Sequence, residues 1–199
     1  MDILIDTVAS DLTFAIADQE HFYFETIKGK GSSERLPGRL QELYKSGTIS
    51  SLSFSRVLYN RGPGSFTGIK VGFVTANALA YGNEDGLYSF TSFDLMESAC
   101  EENTGVSFVI NAFQGDFFLG RKIKKQWDFQ VVKAEEIPTS EIVYYLGLEK
   151  YRKENWKKLP EPGEDALKRL FKEGLCSREN QPLYLKKSTA EIKRDMAGS

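Results

Sequence analysis

Arg61-Gly62-Pro63-Gly64-Ser65-Phe66-Thr67-Gly68-Ile69-Lys70-Val71-Gly72 is the most informative stretch of this 199-residue chain. It follows a β-favouring run, Arg56–Asn60, and enters a helix predicted from Ile69 to about Tyr81, which Gly82 ends. A strand, a glycine-rich turn and a helix N-terminus in that order can present backbone N–H groups to an anion. The spacing is nevertheless not a standard nucleotide fingerprint. A GxGxxG begun at Gly62 would need glycine where Thr67 stands, and a Walker A loop would need lysine where Ile69 stands. Gly64, Ser65 and Thr67 therefore admit two readings: contacts for a phosphate, or parts of a tight turn that caps the helix.

Upstream of this stretch, Ile3-Leu4-Ile5, Leu12–Ala17 and Phe22-Tyr23-Phe24 with Ile27 are three short β-favouring runs separated by polar turns, a β-meander. Leu36, Leu40, Leu43 and Tyr44 recur at helical spacing and predict an amphipathic helix from Ser33 to Lys45, closed by Gly47. Downstream come a strand at Leu87–Phe90 and a helix from Ser92 to Glu102, so residues 1–105 read βββαβαβα. A second lobe, residues 106–199, opens with β-like runs at Val106–Asn111, Asp116–Lys124 and Trp127–Lys133. Helices are then expected around Ile142, Tyr145, Leu146 and Leu148 and around Leu167, Leu170 and Phe171, the latter stopped by Gly174, with a Leu159–Gly163 loop between them. No internal copy is visible by residue identity.

Gly68, Gly72, Ala76 and Ala80 fall at four-residue steps and form one stripe of small residues on the second helix. Ile69 and Phe73 flank it on one side and Val71, Val74, Ala78 and Tyr81 on the other, so the helix is apolar almost all round. It must be covered on several faces, by its own lobe or by a partner.

Composition narrows the chemistry. Hydrophobic residues at 41% and charged residues at 27% describe a packed globular chain. His21 is the only histidine, which excludes sites built from two or three imidazoles within one copy of the chain. Cys100 and Cys176 lie far apart without a CxxC, which suits reduced thiols and excludes thiolate zinc clusters; no metal is expected. The first six residues, acidic and short in apolar length, do not read as a signal peptide, and no apolar run reaches the ~20 residues of a membrane span, so a cytoplasmic location is expected. Residues 1–105 carry 8 Lys+Arg against 14 Asp+Glu, net −6, and residues 106–199 carry 18 against 14, net +4. The basic groups Arg121-Lys122-Lys124-Lys125, Lys150-Arg152-Lys153, Lys157-Lys158, Lys186-Lys187 and Lys193-Arg194 could touch a polyanion or form a solvated face. Asp6, at the end of the first strand, could hold a metal–phosphate or activate water, or could form the turn before Thr7.

The stretch Arg61–Gly72 resembles the signature of the bacterial TsaB (YeaZ) family, the dimerisation subunit of the tRNA threonylcarbamoyladenosine machinery. Ile5-Asp6-Thr7, Ser33-Glu34-Arg35-Leu36, Ala78-Leu79-Ala80-Tyr81-Gly82, Thr91-Ser92-Phe93 and Tyr184-Leu185-Lys186 carry the same resemblance. It is strong across the first lobe, and beyond residue 125 it rests on the order of elements. The resemblance implies an α/β fold of the actin/Hsp70/sugar-kinase (ASKHA) kind, in which the βββαβαβα lobe is followed by a reduced second lobe. An ATP-using member of that superfamily carries an acidic second phosphate loop and an adenosine-binding glycine pair. The comparable turn here reads Asn111-Ala112-Phe113-Gln114-Gly115, where the family usually has an Asp-Ala-Arg-Arg-Gly-Glu-like segment, and the later glycines are isolated.

The resemblance further implies a non-catalytic scaffold that pairs with TsaD, forms a ternary complex with the ATPase TsaE, and pairs with itself when TsaD is absent. The complex transfers threonylcarbamoyl to the adenosine beside the tRNA anticodon, and this chain would reach tRNA only through it. No cofactor of its own is expected; ATP or ADP would enter only at the interface with the partner. The expected partner interface is Leu36, Leu40 and Leu43 on the first helix with Gly68, Gly72, Phe73, Ala76 and Ala80 on the second. Asp6, Gly64, Ser65 and Thr67 are the expected nucleotide contacts. The alternatives are an autonomous ATP-dependent ASKHA enzyme or glycoprotease-like peptidase, and a direct tRNA binder that uses the basic second lobe.

Overall fold

The structure, a computed structural model, describes residues 1–9, 11–29, 31–101, 105–146, 153–172 and 176–187. Two compact units make up the chain: Met1–Ser92 with Leu167–Leu183, and Phe93–Ala166 with the segment from Tyr184. The first contains β1 (Asp2–Asp6), β2 (Leu12–Ala17), β3 (Phe22–Ile27), α1 (Leu36–Lys45), β4 (Arg56–Asn60), α2 (Phe66–Leu79) and β5 (Leu87–Phe90), with α3 (Ser92–Ser98) next in the chain. Its sheet has the order β3-β2-β1-β4-β5. The meander pairs antiparallel, and β4 and β5 add in parallel, with Ile3 opposite Val57 and Ile5 opposite Tyr59. Ile3, Leu4 and Ile5 are all fully buried because β1 is the central strand and both its faces are covered.

Leu36, Leu40 and Leu43 turn inward as their spacing predicts and join Ile3, Ile5, Phe14, Val57 and Tyr59 in one core. The α-helix begins at Leu36, after a 3-10 turn at Ser32–Arg35, and accommodates Pro37 in its first turn, where a missing N–H costs nothing. It ends as predicted: Gly47 N donates to Tyr44 O and Thr48 N to Leu43 O, so the last carbonyls are satisfied.

In the second unit, β6 (Val106–Asn111), β7 (Asp116–Ile123), β8 (Gln126–Lys133), β9 (Ile142–Tyr145) and β10 (Trp156–Lys158) form a sheet of order β10-β9-β6-β7-β8. Read from the meander side, its topology repeats the first: a central first strand, two antiparallel neighbours on one side, two parallel strands on the other. The link from β8 to β9 carries only a 3-10 turn, Ala134–Glu136, where the first unit has a helix.

The structure corrects the helix expected around Ile142 and Tyr145. Those residues form β9, parallel to β6, with Val106 opposite Ile142 and Val109 opposite Tyr145. A strand covered on both faces shows no alternation, so its apolar run satisfies a helical spacing equally well; the β-branched Ile142 and Val143 and the two tyrosines favour the strand. Leu148 and Gly174, with Lys150, Arg152, Lys193 and Arg194, lie outside the described residues. The expected division after residue 105 also differs from the compact units. Phe93, Met96 and Cys100 pack with Phe108, Phe118 and Tyr144 on the second sheet, and α3 ends at Ser98. Of α4 (Glu164–Lys172), the residues from Leu167 onward belong to the first unit, where Phe171 meets Phe22 edge-on with ring centroids 6.0 Å apart.

Ile123 pairs with Gln126 across a two-residue turn, Lys124-Lys125, whose φ values are +50° and +70°. Both lysines therefore hold a left-handed conformation that Asn-Gly adopts at lower cost. The double change Lys124→Asn with Lys125→Gly is expected to stabilise the protein by about 1 kcal/mol. A urea midpoint that stays in place or moves down would contradict this.

Candidate functional site: the glycine turn and helix α2

The turn after β4 is tied down from three sides. Asn60 Oδ1 accepts from Gly62 N at 2.9 Å; Asn60 Nδ2 donates to Ser92 Oγ at 3.1 Å, and Ser92 Oγ donates to Pro63 O at 2.8 Å. Ser65 N donates to Val8 O at 3.2 Å, and Ser65 Oγ accepts from Gly68 N at 3.2 Å as the N-cap of α2. That cap, not Ile69, sets the start of the helix at Phe66. Val8 fills the concavity: a Cβ on Gly64 would overlap its Cγ1. The N–H groups of Gly62, Ser65 and Gly68, which could have cradled an anion, are spent within the chain. Of the four expected nucleotide contacts, Gly64 is covered, Ser65 caps, Asp6 is turned inward and Thr67 is exposed.

Asp6 Oδ1 accepts from Val8 N at 2.9 Å, and Asn60 supplies a second, side-chain bond. Burial holds the carboxyl above its ordinary range, against the opposing pull of these two bonds.

The small-residue stripe faces inward, a correction to the expected interface. Gly68, Gly72, Ala76 and Ala80 are buried, and Thr7 Oγ1 donates to Gly68 O at 2.7 Å. Without side chains at Gly68 and Gly72, the helix lies directly on the end of β1. Leu36, Leu40 and Leu43 are likewise core, and Phe73 is half-buried against Tyr59, centroids 6.0 Å apart. The exposed face of α2 is the opposite one: Lys70, Val74, Asn77 and Ala78, continued by Tyr81, with Val74 65% and Tyr81 89% exposed. Tyr44 on α1 is also exposed. Val74 lies about 200° around the helix from Gly72, so the outward apolar position was legible in the periodicity once the small stripe was assigned inward.

The remaining candidates are placed separately. His21 is exposed in the β2–β3 turn, where its N donates to Asp18 Oδ1 at 2.8 Å. Cys100 is buried and Cys176 half-buried. Several basic groups are already paired: Arg121 with Glu141, Lys122 with Glu97, Lys186 with Asp116. Asn111 closes its own turn, its Oδ1 accepting from Phe113 N at 2.9 Å, while Lys186 Nζ donates to Phe113 O at 3.2 Å. Phe113 and Gln114 stand at φ +60° and +57°. Hydrogen bonds from Lys133 and Lys186 lower the Asp116 carboxyl below its usual range. Among the described residues there is no group of three His, Cys, Asp or Glu side chains that could hold a metal, and no helix long and apolar enough to cross a membrane.

Two five-stranded sheets of matching order, each a meander extended by parallel strands, define an α/β protein of the ASKHA-like class. The family described as TsaD, tRNA N6-adenosine threonylcarbamoyltransferase, matches residues 26–128, just over half of the sequence, and the chain belongs to this family. Among solved structures, one from Pseudomonas aeruginosa, described as an uncharacterized protein with similarity to peptidase YEAZ, superposes with a TM-score of 0.71 at 16% identity, over 93% of this chain and 99% of that one. A second, YeaZ from Pseudomonas aeruginosa, has a TM-score of 0.69 at 16% identity, over 92% and 99%. At that identity the likeness is one of fold, and it is consistent with the TsaB (YeaZ) resemblance of the signature. No curated protein matches the sequence.

Proposed function

We propose that this chain is a non-catalytic subunit of a tRNA threonylcarbamoylation complex that binds a TsaD partner and pairs with itself when the partner is absent. The observation that supports the reading is the glycine turn: Val8 fills it, and the N–H groups of Gly62, Ser65 and Gly68 serve the chain's own fold, so these groups brace a helix. The outward face of α2, with Val74, Tyr81 and Lys70, is the surface assigned to the partner, joined by Tyr44 of α1. A TsaE-like ATPase, nucleotide at the shared interface, tRNA reached through the complex and a cytoplasmic location complete the proposal.

The test is co-expression of the tagged chain with a TsaD-family protein. Capture is expected for the native chain and is expected to fall by about 30-fold or more for Val74→Arg, the effect of losing a contact worth ~2 kcal/mol, with the melting temperature unchanged. ATP or peptide turnover by the isolated chain, or capture indifferent to Val74→Arg, would overturn the proposal.

A further inference from the structure

Asp6 is only 8% exposed, and it sits where three segments meet. Its carboxyl holds Val8 N; Val8 in turn holds Ser65 N and covers Gly64. Its other partner, Asn60, holds Gly62 N directly and Pro63 O through Ser92. Both routes end on the Gly62–Gly68 turn. The charged groups on the surrounding elements lead elsewhere: Asp11 accepts from Gly29 N, Arg61 reaches Glu179 and Gln181 O, and Lys70 lies over the Phe66 ring. Asp94, on α3, accepts from Trp127 Nε1. Among the described residues, no cation or second carboxylate acts on Asp6; its partners are a backbone N–H and an amide.

We propose that Asp6 is a proton-operated latch on the Gly62–Gly68 turn: neutral, it keeps the turn closed on β1; ionised, it is a buried charge without a counter-ion, relieved when the turn opens. The physical basis is the cost of a buried carboxylate, which two hydrogen bonds offset only in part. A buried acid held above its ordinary range contributes stability that is complete below the unfolded-state value, near 3.9, and is lost as pH rises through the folded value. The latch therefore loosens toward alkaline pH. It is independent of the proposed function, since it concerns the isolated chain.

The experiment compares the native chain with Asp6→Asn, which keeps the shape and the acceptor for Val8 N while removing the charge. Melting temperatures are measured from pH 4 to pH 9, and exchange of the Val8, Gly62 and Ser65 amides is followed at each pH. The native protein is expected to fall relative to Asp6→Asn by about 3 °C or more across this range. Those three amides should lose protection in the native chain alone, ahead of amides in β1 and β4. Parallel melting curves, or protection lost uniformly, would overturn the latch. Should Asp6→Asn fail to fold, the carboxyl carbon resonance of Asp6 in the native chain decides: titration above the ordinary carboxylate range supports it, and titration within or below that range overturns it.

Discussion

Gly68→Ala should destabilise the protein by about 3 kcal/mol, the upper end of what overpacking usually costs. An added Cβ would stand 2.1 Å from Thr7 O, well inside van der Waals contact, and that backbone atom at the end of β1 cannot rotate away. The helix would have to lift off β1 and would break the Thr7 Oγ1 to Gly68 O bond as it did so. Gly72→Ala should cost less, because its Cβ would meet Thr7 Oγ1 at 2.6 Å and a hydroxyl can rotate at the price of that one bond, about 1 kcal/mol. Gly72→Leu should exceed Gly72→Ala. Urea denaturation of the three variants checks the ranking. A set of folded variants with native midpoints and lost self-association would place the stripe at an interface and overturn the inward packing.

The second large effect concerns the end of α4. A chain stopped after Ala166 keeps every strand of both sheets yet removes Leu167, Leu170 and Phe171, all buried, from the first unit. Full burial of such side chains is worth ~1.5–3 kcal/mol each, so roughly 5–9 kcal/mol is lost from a domain whose whole stability is typically ~5–15 kcal/mol. The cut also removes the backbone bridge between Ser177 and Ser89, the Arg61–Glu179 ion pair and the Leu183 N to Arg61 O bond, so the β5 edge and the signature turn lose their cover. This fragment should fail to unfold cooperatively and should aggregate through its uncovered strand edge. A soluble fragment that melts cooperatively within a few degrees of the intact chain would show that the returning segment is dispensable.

The local elements with strong periodicity were legible before any coordinates. The meander, β4 and β5 follow from β-favouring runs bounded by turn residues, α1 from its leucine spacing and α2 from its place between Ser65 and Gly82, and the signature Arg61–Gly72 pointed to the family. Ile142–Tyr145 was not legible, because Ile142 and Tyr145 with Leu146 and Leu148 also fit a helical spacing, and three-residue β10 is too short to show a period. The repeated strand order was invisible for a different reason: topology is preserved by hydrogen bonding between strands, which any β-compatible residue supplies, so no residue identity need survive.

The candidate site divides along the same line. From the sequence alone came the small stripe and the certainty that α2 must be covered on several sides, since spacing on a helix is fixed by its 3.6-residue turn. Which side meets which surface was decided by tertiary packing. Thr7 and Val8, 61 and 56 residues before Gly68 and Gly64, occupy the space that the glycines leave, and so turn the stripe inward and close the turn. Contacts between segments so far apart in the chain leave no periodic trace in either one, and only the folded structure brings them together.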